Sequence, residues 1–219
     1  MSAPFRHEFL TTPRALSRDP STGPEAVGLE ATGFVAGTRI ATPMGYVAVE
    51  RLRAGDSVLT ADGRHATILW SGASQMPGQG AFAPVLIETG VMDNIRPLRV
   101  GQGHLVRFEG WQAELLFDTG AVLASARSFV DGAGIRIDDS AETVTYIHLM
   151  LERHEIILAE NVACETLRPG AETALLLAGL AACAEAFEHP ALPMVDAPLP
   201  SEAALPVLSE REERLLRAA

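Results

Sequence analysis

From residue 34 to about residue 167, short apolar runs alternate with glycine and aspartate. RIAT (39–42) and YVAV (46–49) flank a Pro-Met-Gly turn, and SVLT (57–60) and RHATILW (64–70) flank Asp62-Gly63. An Asp-Gly pair is typical of turns that need a positive φ, so each pair of runs predicts a β-hairpin. Closely spaced strands with turns between them indicate an all-β domain rather than alternating strands and helices.

Two longer apolar stretches continue this pattern. LRVGQGHLVRFEGWQAELLF (98–117) predicts further strands. TVTYIHLMLERHEIILAE (143–160) is long for one strand, so we expect two strands that meet around 152–155. In an extended chain Val144, Tyr146, His148 and Met150 lie on one face, because side chains alternate with period two.

The two ends of the chain differ in character from this β region. Residues 1–32 are rich in Pro, Ser, Thr and Arg without periodicity and predict a disordered leader. An Ala- and Leu-rich run ending at Pro190 predicts a helix over 171–188. A Pro-rich acidic tail covers 189–219, and its SEREERLLRAA sequence predicts a short helix capped by Ser209 with Glu212. The β domain itself is assigned to 33–170.

Composition excludes several kinds of chemistry. All 17 basic residues are arginine, which excludes Schiff-base chemistry and the lysine of a phosphate-binding loop. The net charge of -11 and pI of about 5.0 argue against binding to nucleic acid or an anionic membrane. The N-terminal residues contain no apolar signal-peptide core, and no run reaches the ~20 apolar residues of a membrane span. We therefore expect a cytoplasmic protein, or export by a route without an N-terminal signal peptide.

Other chemistry-bearing residues have weaker patterns. His148, His154, Glu155 and Cys164 invite a zinc interpretation, but His154-Glu155-Ile156-Ile157-Leu158 ends in leucine where a zinc protease motif has a second histidine. The pattern favours a solvated turn with ion pairs, so we expect neither a metal nor another cofactor. The two tryptophans, Trp70 and Trp111, are predicted to anchor the core.

The stretch beginning at Gly33 resembles the first block of the hedgehog/intein (Hint) superfamily, in particular its short stand-alone bacterial members. That block typically reads Cys-Phe-x-x-Gly-Thr-x-Ile-x-Thr-Pro-x-Gly, and residues 33–45 here read GFVAGTRIATPMG. VERLRAGDSVLT (49–60), ASARSFVDG (124–132) and HLMLERHEIILAENVACETLRPG (148–170) continue the likeness in order. The resemblance implies a compact, mainly β Hint fold with a C-terminal helix and flexible tails.

The resemblance also implies an activity, and the sequence departs from it at two positions. In active members the first cysteine attacks the preceding carbonyl, and a histidine of a Thr/Ser-x-x-His motif protonates the departing amide nitrogen. Here Gly33 stands at the nucleophile position and Gly101 at the Thr/Ser position, while His104 is retained. Catalytic groups that act as a unit lose most of their effect when one is removed.

Three hypotheses follow. The first is a catalytically degenerate Hint domain that serves as a binding or scaffold module. The second is an active self-processing protein that cleaves near residues 32–38, with Thr32 or Thr38 as nucleophile and His104 as general acid. The third is an accessory domain that recognises an unknown protein partner through its acidic tail.

Overall fold

The computed structural model of the protein describes residues 31–169, 173, 186–188 and 202–218. The strands in chain order are β1 (Phe34–Val35), β2 (Arg39–Thr42), β3 (Gly45–Ala48), β4 (Ser57–Leu59), β5 (His65–Pro77), β6 (Val85–Ile87), β7 (Leu98–Val100), β8 (Leu105–Glu109), β9 (Ala121–Ser125), β10 (Ile135–Ile137), β11 (Thr143–Leu151), β12 (Ile156–Ala159), β13 (Val162–Glu165) and β14 (Ala186–Glu188). The helices are α1 (Trp111–Phe117) and α2 (Glu210–Ala218). Short 3-10 helices cover Val49–Arg51, Gly80–Phe82 and Ala126–Phe129.

These strands form two antiparallel sheets. The larger has the order β10-β6-β7-β1-β11-β5-β14, with β4 also paired to β5, and the smaller has the order β3-β2-β12-β13-β8-β9. The longest pairing joins β5 to β11, from Thr143 opposite Pro77 to Leu151 opposite Ile68. The short strand β1 lies between β7 and β11, so residue 33 enters the centre of the larger sheet.

The predicted hairpins are confirmed. β2 pairs with β3 and β4 pairs with β5, and Gly63 has the positive φ of 81° that its turn requires. The prediction of two strands over 143–160 is also confirmed, because β11 ends at Leu151 and β12 begins at Ile156. Buried positions in the second half of β5 recur at every other residue, as expected for a strand with one face in the core.

The main core fills the space between the sheets. Its largest buried side chains include Phe34, Leu98 and Leu149 from the larger sheet and Ile40 and Ile157 from the smaller one. Burial of such side chains drives folding at about 25 cal/mol for each Å² of apolar surface removed from water.

The prediction of strands through residue 117 is wrong for its last part. WQAELLF forms the helix α1, which begins after Gly110 at a φ of 128° and ends at Asp118 in the left-handed conformation. Gln, Ala, Glu and Leu all favour helix, and this local propensity decides the structure of a short surface segment. The helix leaves Trp111 62% exposed, so its prediction as a core anchor is wrong, whereas Trp70 is 3% exposed as predicted.

The short helix predicted at the end of the tail, from Ser209 onwards, is confirmed by α2 (Glu210–Ala218). Ser209 Oγ and the Ser209 N–H both donate to Glu212 Oε2 at 2.7 Å, which is the predicted capping pair. The helix predicted over 171–188 lies outside the described residues, except that Thr173 is helical and 186–188 form β14 instead. At these last three residues, pairing with the open edge of β5 overrides the helical propensity of the Ala-rich sequence.

The two ends of the described chain pack on the domain. Residues 1–30 of the predicted leader lie outside the described residues, but Ala31 is fully buried and its N–H donates to Ala81 O at 3.2 Å. Residues 202–218, called the C-terminal segment below, lie against β9 and α1. Within the described ranges, no helix is both long and apolar enough to cross a membrane.

Candidate functional site

The residue at the candidate nucleophile position, Gly33, is buried just before β1. It has a φ of 97°, a conformation that residues with a side chain rarely adopt. Its N–H donates to His104 Nδ1 at 3.2 Å, and its carbonyl accepts a hydrogen bond from the Gly101 N–H at 2.9 Å. The three positions that the sequence singled out, Gly33, Gly101 and His104, therefore meet at one point of the fold.

His104 is held as a neutral hydrogen-bond acceptor. It is 3% exposed, and its ring packs edge-on against Phe34 at 4.5 Å between ring centroids. Burial lowers the pKa of His104 to about 4, although the nearby Glu165 carboxylate opposes this shift. Because Nδ1 accepts the Gly33 N–H, the proton of the neutral ring sits on Nε2, which has no partner among the described residues.

The space that a side chain at residue 33 would need is occupied. A Cβ atom placed on Gly33 would lie 2.9 Å from the His148 ring and 2.9 Å from the Ile147 carbonyl oxygen. His148 is 1% exposed, and its Nε2 lies 3.0 Å from Ser74 Oγ. The small cavity beside Gly33 leaves about 10 Å³ for the centre of a water molecule, which is room for about one water.

The Thr/Ser position of the histidine motif is filled by backbone. A Cβ atom on Gly101 would lie 2.2 Å from the Ala31 carbonyl oxygen and 2.7 Å from Thr32 Cα. The Ala31 carbonyl also accepts a hydrogen bond from the Gly103 N–H at 2.9 Å. Residues 31–33 therefore lie directly against the 101–104 turn, and only glycine at position 101 permits this approach.

A carboxylate that the sequence did not single out lies next to His104. Glu165 Oε1 accepts the Leu105 N–H at 2.9 Å and lies 4.0 Å from His104 Nδ1. Glu165 Oε2 lies 3.1 Å from His154 Nε2, and His154 Nδ1 accepts the Ala204 N–H at 3.0 Å. Since Nδ1 is an acceptor, His154 donates through Nε2 to Glu165. This chain of contacts links the C-terminal segment to the site.

The remaining predicted residues are placed elsewhere or in other roles. Thr32 lines the small cavity, whereas Thr38 Oγ1 donates to the Arg99 carbonyl at 3.4 Å. Cys164 is fully buried in β13, and burial raises the pKa of its thiol. Glu155 forms an ion pair with Arg64 at 2.9 Å. The described residues contain no group of three or more His, Cys, Asp or Glu side chains that could hold a metal ion.

Sequence reasoning missed Glu165 and Ser74 because no motif marks them. Ser74 lies in the middle of β5 and meets His148 only through the pairing of β5 with β11. Glu165 follows Cys164 at the end of β13. Side chains alternate between the two faces of a strand, so the one local signal is that Glu165 lies on the face opposite to the buried Cys164.

Comparison with solved structures finds the inteins and their relatives. The MchDnaB-1 intein crystal structure has 15% identity and a TM-score of 0.40, over 61% of this chain and 99% of that one. The bacterial intein-like domain from Clostridium thermocellum has 18% identity and a TM-score of 0.39, over 62% and 99%. The AceL NrdHF class 3 split intein has 11% identity and a TM-score of 0.43, over 64% and 99%. No curated protein sequence matches the chain.

A family model described as the Hint domain matches residues 32–171, which is more than half of the chain. The match begins one residue before Gly33 and includes the 101–104 turn and both strands that carry His148 and Glu165. This chain belongs to the Hint domain family.

Proposed function

We propose that this chain is a catalytically silent Hint domain that acts as a binding or scaffold module. The observation that carries the proposal is the environment of Gly33. The position has no nucleophile, and the volume that a cysteine Cβ would need is taken by the His148 ring and the Ile147 carbonyl.

The state of His104 supports the same proposal. A general acid must carry a proton on the nitrogen that faces the leaving group. His104 Nδ1 instead accepts a hydrogen bond from the Gly33 N–H, and burial lowers its pKa to about 4. At neutral pH, Nδ1, the ring nitrogen that faces the Gly33 nitrogen, carries no proton that it could donate.

The 31–33 segment has the contacts of a structural element rather than of a substrate. Ala31 is fully buried, and backbone hydrogen bonds join it to Ala81 and Gly103. The Gly33 carbonyl accepts a third backbone hydrogen bond from Gly101. A peptide held on both sides by the sheet and by the 101–104 turn stabilises the fold that it would leave on cleavage.

Self-processing through Thr32 is the second candidate, because Thr32 lines the same small cavity as His104. Attack by its hydroxyl on the Ala31 carbonyl would break the Ala31–Thr32 bond and leave an ester. The leaving nitrogen would then belong to Thr32, whereas His104 contacts the nitrogen of Gly33. This mismatch is why we place the silent domain first.

The test is intact mass spectrometry of the full chain, incubated for days with thiol and with hydroxylamine. We expect a single species at 23.3 kDa in every condition. The matched variants are Thr32→Val, which keeps the shape of the side chain, and His104→Gln. Fragments that end at residue 31 or 32 in the wild type and disappear in either variant would overturn the silent assignment.

A Gly33→Cys variant asks whether a thiol alone restores the reaction. The left-handed φ of residue 33 and the contacts with His148 and Ile147 oppose the side chain, so we expect no hydroxylamine-sensitive species. Efficient cleavage by this variant would mean that the surrounding site is intact and that silence rests on the missing thiol alone.

A further inference from the structure

The smaller sheet has an open edge that the chain covers with its own C-terminal segment. β9 is the last strand of this sheet and pairs with β8 on one side. On its other side, the Leu123 N–H donates to Pro206 O at 2.8 Å, and the Leu208 N–H donates to Leu123 O at 2.9 Å. Val207 thereby pairs with Leu123 in parallel orientation. This is the geometry in which an extended peptide adds to a sheet edge.

An apolar pocket receives one side chain of the segment. Leu208 is 8% exposed and forms a cluster with Val122 and Ala124 of β9. The domain supplies the walls of this pocket through three partly buried side chains, Phe108, Phe117 and Phe129, and Leu216 of the segment itself packs against the same cluster. Fully burying a leucine side chain contributes about 1.5–3 kcal/mol, so Leu208 is one of the contacts that hold the segment in place.

A carboxylate is recognised at a second point. Glu213 is 7% exposed, its Oε1 accepts the Ser125 N–H at 2.7 Å, and its Oε2 accepts Ser125 Oγ–H at 2.9 Å. Ser128 Oγ lies 2.9 Å from Ser125 Oγ and completes the polar end of the site. Hydrogen bonds to a buried carboxylate are about twice as strong as neutral ones, so this contact selects for glutamate.

The spacing between the two anchors is fixed by the start of α2. Ser209 and Glu212 form the capping box that begins the helix directly after Leu208, and the Glu213 N–H donates to Ser209 O at 2.9 Å. The segment therefore carries an extended apolar residue, a helix cap and a glutamate five positions after the apolar residue.

We propose that the edge of β9, with the apolar pocket and the Ser125–Ser128 pair, is a peptide-binding groove whose tethered ligand is the C-terminal segment. We call this surface the β9 groove. The partner that it binds presents a peptide with the same leucine, helix cap and glutamate at the same spacing. The segment and the groove belong to one chain, so binding of the segment is intramolecular and competes with binding of a partner peptide. The proposal is independent of whether the domain cleaves itself, because no group of the groove lies at Gly33.

The first test measures binding of a fluorescein-labelled peptide of residues 202–219 to the full chain by fluorescence anisotropy. We expect the wild-type chain to bind this peptide at least tenfold more weakly than a full-length Leu208→Ala/Glu213→Gln chain does. In the double variant the chain's own C-terminal segment binds the groove less well and therefore competes less with the added peptide. A Glu213→Gln peptide is expected to lose at least tenfold in affinity. A Glu210→Gln peptide is the matched control, since that side chain is 94% exposed. No binding of the wild-type peptide to the weakened chain, or equal binding of the Glu213→Gln peptide, would overturn the proposal.

The second test keeps the wild-type groove and does not depend on a variant that folds poorly. A specific protease site is inserted between residues 190 and 200 of the full chain, and the chain is cut after purification. We expect the C-terminal fragment to co-elute with the domain on gel filtration and to be displaced by excess free peptide, but not by the Glu213→Gln peptide. Separation of the cut fragment at micromolar concentration would contradict the groove, while leaving the mass-spectrometric test of silence unaffected.

Discussion

Replacing Gly101 with alanine tests the close backbone contact between residue 101 and residues 31 and 32. The added methyl group would lie 2.2 Å from Ala31 O, 2.4 Å from Ala31 C and 2.7 Å from Thr32 Cα. All three atoms are backbone, so no side-chain rotation relieves the overlap. The chain must either compress the surrounding core or release residues 31 and 32 from the domain.

Both responses have a bounded free-energy cost. Forcing an extra methyl group into a packed site costs about 1–3 kcal/mol. Releasing residues 31 and 32 instead gives up two backbone hydrogen bonds, which join Ala31 to Ala81 and Ala31 to Gly103. At about 1 kcal/mol each, they set a similar limit. We expect Gly101→Ala to lower the free energy of unfolding by about 2–3 kcal/mol, and Tm by roughly 5–10 °C.

The assay is urea unfolding followed by circular dichroism, with hydrogen exchange of the Gly103 amide to report on the segment. Gly120→Ala is the matched control, because no heavy atom lies within 4 Å of its added methyl group and it should change stability by less than about 0.5 kcal/mol. If Gly101→Ala is as stable as Gly120→Ala and the Gly103 amide keeps its protection, the close contact with residues 31 and 32 is not what position 101 requires.

Three further predictions concern charge and exposure. The pKa of His104 is lowered to about 4 in the fold from 6.5, so the unfolded chain binds the extra proton and stability falls from about pH 6.5 towards pH 4, by up to about 3 kcal/mol. Urea unfolding at several pH values should show this fall in the wild type and a smaller fall in His104→Gln. Glu160 is 2% exposed, and its carboxylate accepts hydrogen bonds from three N–H groups of Arg39. Glu160→Ala should therefore cost about 3 kcal/mol in chemical unfolding, whereas Glu109→Ala, at an exposed ion pair, should cost under about 1 kcal/mol. Trp111→Ser should leave Tm unchanged in thermal unfolding, because the side chain is 62% exposed; a clear loss of stability would show that the indole is a structural contact.

The local parts of the fold could be predicted from sequence, and the sheet order could not. The hairpins and the cap of α2 depend on residues a few positions apart, such as Asp62-Gly63 and Ser209 with Glu212. The position of β1 between β7 and β11 depends on contacts between residues far apart in sequence, which no local pattern encodes. The sequence predicts strand where α1 forms, because its apolar residues follow closely on those of the strand β8 and only Gly110 separates the two elements.

For the candidate site, too, the sequence predicts the motif residues but not the contacts that distant strands bring to them. Gly33, Gly101 and His104 were found because each occupies a motif position, and the structure brings them together. Their environment is not predictable from sequence, because the pairing of β1 with β11 places His148 against Gly33, and the pairing of β13 with β8 places Glu165 beside His104.

The central place of β1 in the larger sheet also bears on how the protein is made. β1 is the first described strand to leave the ribosome, yet its neighbours are β7 and β11, and the long pairing of β11 with β5 completes only when Leu151 has been synthesised. Contacts between residues so distant in sequence slow folding, because the intervening chain must close a long loop first. The nascent domain therefore holds its first strand unpaired until β7 has been made, and the larger sheet is completed only after β11 has followed.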